Sequence, residues 1–213
     1  LIRDRFPYQK NILREDVLAK YDLVFRHDRA GRLVDAQEFK LLKFPKSRFA
    51  PDLLEELLTE TSNTVHDLGE ELLIDHLYIE RRMTPLNLYI RTAARDQAEK
   101  AVLDYGQAIR DLAVTNIFPG DLLLKNFGVT RHGRVIFYDY DELCLVTDCR
   151  FREIPQSQHD EDDMRADAWF YVGESDVFPE TFINFLGFDP QLKQVFLDTH
   201  AEVLTAEWWR GIQ

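Results

Sequence analysis

The sequence predicts an α+β fold rather than a repeating array of strand–helix–strand units. Two strand-like runs lie in the first half of the chain, one long amphipathic helix follows them, and a hairpin pattern comes after that helix. The 213 residues are 45% hydrophobic and 12% aromatic, which provides enough apolar surface for a sizeable core. We therefore expect one large domain or two small ones.

The first half of the chain carries the predicted strands. Apolar residues at helical spacing predict a first helix over 13–25, with Gly31 as its stop signal. Glu38–Phe44 alternates like a strand, and Pro51–Thr61 is typical of a short helix. Glu70–Glu80 is rich in apolar residues and predicts a second strand.

The second half begins with the strongest helical signal. Small and apolar residues form one continuous stripe over 98–112, which predicts a long buried helix. Two apolar runs, 127–130 and 134–138, flank a polar turn and predict a hairpin. From residue 164 onward the pattern is helical, and Trp208 and Trp209 are expected to pack a terminal helix.

Composition argues against several classes of function. The chain carries 38 acidic and 26 basic residues, a net charge of −12, so binding to nucleic acid or to an anionic membrane is not expected. No apolar run reaches the roughly 20 residues of a membrane-spanning helix. Cys144 and Cys149 are too few for a disulfide framework or a four-thiolate zinc site, so we predict free thiols in a reducing cytoplasm.

The segment 116–142 carries the residues that predict chemistry. Asp121 is followed five residues later by Asn126, and Asp139 comes after the hairpin. Protein kinases use this arrangement: one carboxylate accepts the proton of the attacking hydroxyl, while an Asn and an Asp bind Mg²⁺ on the nucleotide phosphates. Lys125 could balance the charge that develops on the transferred phosphoryl group. Each residue alone is a common occurrence, so the prediction of kinase-like chemistry depends on their joint spacing.

The same segment resembles a known family. NIFPGDLLLKNFGVTRHGRVIFYDYDELC is similar to the catalytic segment of the isocitrate dehydrogenase kinase/phosphatases, bifunctional bacterial regulators of the glyoxylate bypass. The resemblance continues through DRFP, HDRAGRLVDAQEF and HLYIERRMTPLN upstream and through FREIP and DVFPE downstream. It implies a divergent protein-kinase-like fold, mostly the helical large lobe with part of the small β lobe.

The resemblance also implies an activity. Members of this family phosphorylate a serine of isocitrate dehydrogenase and remove that phosphate at the same site, using ATP or ADP with Mg²⁺ or Mn²⁺. They carry a large N-terminal regulatory domain, respond to AMP and act in the bacterial cytoplasm. We therefore expect a nucleotide and a divalent cation as cofactors, isocitrate dehydrogenase as the protein substrate, and AMP as a regulator of the intact protein.

Residue by residue, the resemblance implies that Asp121 is the catalytic base, that Asn126 and Asp139 bind the metal, and that Lys125 contacts the phosphates. Asp141 stands where ordinary kinases have the glycine of Asp-Phe-Gly. At period two it is predicted to share a strand face with Asp139. We expect Asp141 to orient a water molecule for the phosphatase direction.

The stretch between the strand-rich part and the helical part predicts a nucleotide site. Glu80–Met83 joins these two parts of the chain. We predict that it is the hinge at which adenine binds, with Glu80, Arg81 and Met83 as the nucleotide-binding residues.

The chain departs from ordinary kinases in two respects. We place a partial small lobe over 1–80 and the large lobe over 81–213, but we identify neither the glycine-rich loop nor the strand lysine that grip the nucleotide phosphates. The first residues, LIRDRF, resemble the segment directly after that lysine in the family, and Lys10 lies too far along to replace it. The isolated chain is therefore expected to be inactive. In addition, Pro119-Gly120 replaces the His-Arg before the catalytic Asp, which argues against control by loop phosphorylation.

Two other functions stay open at this point. A kinase-like module that binds nucleotide without catalysis fits if the lysine is absent from the intact protein. The apolar run before Asp139 also imitates the nucleophile strand of haloacid-dehalogenase-like phosphatases. However, Leu143 stands where that family has Thr or Val, and the acidic run His159–Asp163 comes too early to be its second acidic pair.

Overall fold

The computed structural model describes residues 14–27, 31–155, 170–184 and 186–213. The start of the chain, including Leu1 and Lys10, and the acidic run His159–Asp163 lie outside these ranges.

The described residues form two compact units. One comprises residues 35–81, and the other comprises residues 14–34 and 82–213. Helix α1 (Arg14–His27) confirms the helix predicted over 13–25, but it belongs to the second unit. The predicted boundary after residue 80 lies next to the observed one, after residue 81. We expected residues 14–34 in the strand-rich unit, but they belong to the second unit. The assignment of the units to kinase lobes stays a prediction.

The first unit is a three-stranded antiparallel sheet with one helix. Strands β1 (Ala36–Pro45), β2 (Val65–Asp67) and β3 (Glu71–Glu80) have the order β1–β3–β2, and helix α2 spans Pro51–Glu60. Pro51 begins α2 because its fixed φ and missing N–H suit the first helical turn. Leu57 of α2 and Leu72 and Ile74 of β3 belong to one small core. Both predicted strands and the predicted helix of this segment are confirmed.

The second unit contains the remaining helices and several short strands. In chain order they are β4 (Thr84–Pro85), α3 (Leu86–Thr92), α4 (Arg95–Val114), β5 (Ile117–Phe118), β6 (Phe127–Val129), β7 (Val135–Phe137), β8 (Cys144–Leu145), β9 (Arg150–Phe151), β10 (Asp176–Val177), α5 (Pro190–His200) and α6 (Ala206–Ile212). Antiparallel pairing joins β4–β6–β7 and also β5–β8, while β9 and β10 are parallel. The mixture confirms the α+β class and the predicted hairpin. None of the described helices is both long and apolar enough to span a membrane.

Helix α4 is the centre of the larger core. Every residue of the apolar stripe predicted over 98–112 is buried. Tyr105 is fully buried, and its ring centroid lies 4.8 Å from that of Phe127 in β6 and 5.9 Å from that of Phe196 in α5. At Gly106 the helices α4 and α5 approach closely, since a Cβ there would lie 2.2 Å from the His200 ring. The helix therefore supports the hairpin on one side and α5 on another.

A buried arginine fixes the segment 31–34 on α4. The Arg32 side chain is 4% exposed and donates from Nε to Asp111 at 2.7 Å. Its two terminal nitrogens donate to the two carboxylate oxygens of Asp104 at 2.9 and 2.8 Å, and one of them also donates to the Val135 carbonyl at 3.0 Å. The Val135 N–H in turn donates to Asp104 at 2.6 Å. The network joins the segment 31–34, α4 and the start of β7.

The end of the chain is less helical than the pattern predicts. In its described part, β10 pairs with β9, and a short 3₁₀-helix spans Pro179–Asn184 before α5 begins. Trp209 of α6 is fully buried, stacks on Phe151 with ring centroids 4.9 Å apart, and donates from its indole N–H to the Val203 carbonyl at 2.8 Å. The predicted packing role of this tryptophan is confirmed. Cys144 and Cys149 are free thiols, as predicted.

Candidate active site

A cleft of about 170 Å³ lies between two loops of the second unit. The loop from β5 to β6 contributes Pro119, Asp121, Lys125 and Asn126, and the loop from β7 to β8 contributes Asp139, Asp141 and Glu142. All five residues that the sequence assigns to catalysis and metal binding therefore line one cleft. Pro119 and Glu142 are absent from that prediction, and the signal for Glu142 is its place directly after Asp141.

Apolar contacts and several hydrogen bonds fix the Asp121 loop. Leu122 and Leu124 are buried, whereas Leu123 between them is half-buried. The Leu122 carbonyl accepts a hydrogen bond from the hydroxyl of Tyr105 in α4. Asn126, 5% exposed, ends a short 3₁₀-helix and donates from Nδ2 to Oδ1 of Asp121. The five-residue spacing thus has a structural reason, because it brings the amide back to the carboxylate.

Gly120 lets the two loops approach each other. Its φ is +87°, in the region that favours glycine, and a Cβ at this position would lie 2.5 Å from Cβ and 2.6 Å from the carbonyl oxygen of Glu142. A side chain before Asp121 would therefore force the Glu142 backbone away. This contact gives a physical reason for glycine, and not a residue with a long side chain such as arginine, directly before Asp121.

If the cleft carries the kinase chemistry that the sequence predicts, Gly120→Ala in the intact protein is expected to reduce the rate of phosphoryl transfer roughly tenfold, because the two loops must separate to admit the methyl group. Gly133→Ala is the matched control, since Gly133 also has a positive φ, +78°, but a Cβ at this position would have no atom within 4 Å. Steady-state rates and melting temperatures of both variants test this. Equal rates in the two variants would show that the close approach at Glu142 is unimportant for activity.

Asp139 and Asp141 lie beyond the end of a strand, not on one. Strand β7 ends at Phe137, the Tyr138 N–H donates to the Asn126 carbonyl at 3.1 Å, and the chain then turns at Asp141. The predicted strand face shared by the two carboxylates is therefore wrong. They reach the same cleft because the turn folds back, and the Asp141 N–H donates to the Asp139 carboxylate.

The cleft is strongly acidic. Burial raises the pKa of Asp121, and the charge of Glu142 raises it further. Burial likewise raises the pKa of Asp139, to which the charges of Asp141 and Asp121 add. Lys125 opposes both shifts and is the one basic residue among the described residues that line the cleft. Such a set of charges favours the binding of a cation.

Two side chains of the cleft suit Mg²⁺. Because Asn126 presents Nδ2 to Asp121, its Oδ1 faces away, and this oxygen accepts no hydrogen bond within the described ranges. Together with the Asp139 carboxylate it provides the hard oxygen ligands that Mg²⁺ prefers. No three His, Cys, Asp or Glu side chains of the described ranges are grouped so that they could hold a metal ion. In kinases the nucleotide phosphates supply further ligands to the ion.

The predicted hinge residues are divided between the two units. Glu80 ends β3 opposite Ala36, and Arg81 follows it in the first unit. Met83 belongs to the second unit, where its side chain packs closely against Gly128 and helps to line a separate cleft of about 520 Å³ with Arg82. A role of these residues in adenine binding stays a prediction.

Comparison with known proteins identifies the family. Residues 1–213 match the family model described as "Isocitrate dehydrogenase kinase/phosphatase (AceK) kinase domain". The chain belongs to this family. Proteins named isocitrate dehydrogenase kinase/phosphatase are 56% identical to it in Anaeromyxobacter sp. (strain Fw109-5), 51% in Xanthomonas axonopodis pv. citri (strain 306) and 49% in Serratia proteamaculans (strain 568), each over 213 residues.

These alignments cover the whole of this chain but only 36–37% of each isocitrate dehydrogenase kinase/phosphatase. The resemblance predicted from the sequence is therefore confirmed, and it holds for one part of a longer relative. At the level of the family, the members are enzymes that act as kinase and phosphatase.

Proposed function

We propose that this chain is the catalytic part of a bifunctional isocitrate dehydrogenase kinase/phosphatase. In the intact protein it transfers the γ-phosphoryl group of ATP to a serine of isocitrate dehydrogenase and, with ADP or ATP bound, removes that phosphate. The observation that carries the proposal is the meeting of Asp121, Lys125, Asn126 and Asp139 in one acidic cleft.

Asp121 is the base in this proposal. Its Oδ1 accepts hydrogen bonds from Nδ2 of Asn126 and, at 3.4 Å, from the Leu123 N–H, so Oδ2 is left for the serine hydroxyl. Burial raises the pKa of Asp121 above that of an exposed carboxyl group, which makes its carboxylate a stronger proton acceptor. The side chain is therefore oriented by the protein and basic enough to take the hydroxyl proton as the oxygen attacks phosphorus.

Asn126 and Asp139 would hold Mg²⁺. When bound, the ion supplies positive charge that offsets the charge of the nucleotide phosphates. The Lys125 side chain is exposed, and its backbone carbonyl accepts a hydrogen bond from the Tyr138 hydroxyl. The backbone is therefore anchored, while the ammonium group stays at the end of a long, flexible side chain. This ammonium group is suited to follow the transferred phosphoryl group from nucleotide to serine.

For the intact protein we further propose a glycine-rich loop with its lysine, an N-terminal regulatory domain and a response to AMP. Adenine would bind at Glu80, Arg81 and Met83. The 37% coverage of the Anaeromyxobacter relative supports the presence of further segments in such proteins. We place the activity in the bacterial cytoplasm, in control of the glyoxylate bypass, and expect the separate chain to be inactive.

Asp141→Asn in the intact protein is expected to raise the ratio of kinase to phosphatase activity about tenfold, because we propose that the Asp141 carboxylate orients the water that attacks the phosphoserine. Asp148→Asn is the control, since Asp148 is exposed and does not line the cleft. Both activities are measured on the same preparation. An equal loss of the two activities would contradict this division of roles.

The proposed function is tested with the intact protein, purified isocitrate dehydrogenase and γ-labelled ATP. We expect label on a serine of isocitrate dehydrogenase that requires Mg²⁺ and is released as inorganic phosphate after ATP is replaced by ADP. Binding of ATP without any transfer would instead favour a non-catalytic nucleotide-binding module.

A further inference from the structure

Tyr140 lies between Asp139 and Asp141 in the sequence, but its side chain is directed into the interior of the second unit. Its side chain is buried, with 3% of the residue exposed, and it does not line the cleft. Its ring meets Tyr21 of α1 edge-on at a centroid distance of 5.1 Å and lies 5.7 Å from the ring of Phe137. The residue therefore packs the loop that carries Asp139 onto the interior of the second unit.

The Tyr140 hydroxyl makes two hydrogen bonds to one main-chain residue. It accepts from the Val34 N–H at 2.9 Å and donates to the Val34 carbonyl at 3.3 Å. The segment 31–34 already runs beside β7, where the Phe137 N–H donates to the Arg32 carbonyl at 2.7 Å and the Val34 N–H donates to the Phe137 carbonyl at 3.2 Å. The Val34 N–H is thus shared between the Phe137 carbonyl and the Tyr140 hydroxyl, so the hydroxyl joins this pairing at its end.

A second contact holds the far side of the same turn. The Lys20 ammonium group of α1 donates to the Leu143 carbonyl, and the Leu143 N–H donates to the Tyr140 carbonyl at 3.2 Å. The loop 139–142 is therefore attached at Tyr140 and at Leu143 to the segment 14–34. That segment precedes the loop by more than 100 residues, so the sequence pattern around the loop gives no sign of the attachment.

We propose that Tyr140 is a positioning residue that holds the Asp139 carboxylate ready for the divalent cation through its hydroxyl bonds to Val34. This inference deepens the proposed function, because it rests on the metal-binding role of Asp139 there. In ordinary kinases the residue after this Asp is a phenylalanine whose packing differs between active and inactive states. A buried tyrosine bonded in both directions must lose these two hydrogen bonds to leave its place, which favours the packed arrangement of the loop.

The test is Tyr140→Phe in the intact protein, which keeps the ring and removes the hydroxyl. We expect the affinity for Mn²⁺ in the presence of ADP, measured from the spin-resonance signal of the free ion, to fall about tenfold, as for loss of a group that orients a metal ligand. Amide hydrogen exchange over 137–143 is expected to accelerate in the same variant, with or without metal. Tyr171→Phe is the control, since Tyr171 is 81% exposed and both readouts should stay at the wild-type level.

The outcomes separate this inference from the proposed function. Unchanged Mn²⁺ affinity and unchanged exchange in Tyr140→Phe would overturn the positioning role, whatever the activity of the protein. If both quantities change but wild-type protein phosphorylates no isocitrate dehydrogenase, the attachment stands and the proposed function fails. A melting temperature close to that of the wild type shows that the altered exchange is local, whereas acceleration throughout the chain would overturn the inference.

Discussion

Asp121→Asn in the intact protein is expected to slow phosphate transfer to isocitrate dehydrogenase by about 10²- to 10⁴-fold, the range found for loss of a general base. Asparagine keeps the shape of the side chain and an oxygen that can accept the hydrogen bond from Asn126, but it cannot accept the serine proton. The loss should therefore appear in kcat, with little change in the KM for ATP. Single-turnover rates with saturating Mg²⁺ measure it.

Asp198→Asn is the matched control for this variant. Asp198 is exposed on α5, where it accepts a hydrogen bond from Gln194, and it does not line the cleft. Its replacement should leave the transfer rate unchanged. If Asp121→Asn also keeps most of the wild-type rate, the base is another group, and Asp121 only orients Asn126.

Arg32→Met is expected to lower the free energy of unfolding by about 3 kcal/mol, because two carboxylates would lose the buried guanidinium group that pairs with both of them. Burial opposes the ionised form of Asp104, but the hydrogen bonds from Arg32 and from the Val135 N–H outweigh it, and its pKa lies below the ordinary value. This part of the stability is present above the pKa of the unfolded carboxyl group, about 4, and is lost as the pH falls through the lowered folded-state pKa. In the variant, the free energy of unfolding should therefore also depend less on pH in this acidic range.

Arg26→Met provides the control for the arginine variant. Arg26 pairs with Asp22 at 2.8 Å on the surface of α1, where the two side chains are 72% and 57% exposed. An exposed pair of this kind contributes about 0.5 kcal/mol or less. Urea unfolding of both variants gives the comparison, and similar losses would contradict the structural importance of the Arg32 network.

The elements that could be predicted from the sequence are those set by local periodicity. The stripe over 98–112 and the apolar run Glu70–Glu80 both appear as predicted, because one buried face is enough to define a helix or a strand. The unit to which residues 14–34 belong could not be predicted in this way. It depends on Arg32 meeting Asp104, which lies 72 residues further along the chain.

The part of the candidate site that could be predicted consists of residues close together in the sequence. Asp121 and Asn126 belong to one loop, so their separation in sequence already reflects the hydrogen bond between them. The arrangement of Asp139 and Asp141 was not predictable by period two, because the strand ends at Phe137 and a turn follows. The contact of Tyr140 with Val34 was likewise not predictable, because the two residues lie 106 positions apart and only the fold brings them together.

The cleft is expected to transfer phosphate from ATP directly to a protein hydroxyl. The most direct measurement mixes the intact protein with γ-labelled ATP, Mg²⁺ and isocitrate dehydrogenase, stops the reaction within one turnover and identifies the labelled residue. We expect phosphoserine on isocitrate dehydrogenase and no acyl phosphate on the enzyme itself. A phosphorylated aspartate at position 139 would contradict direct transfer and would indicate chemistry like that of the haloacid-dehalogenase-like phosphatases.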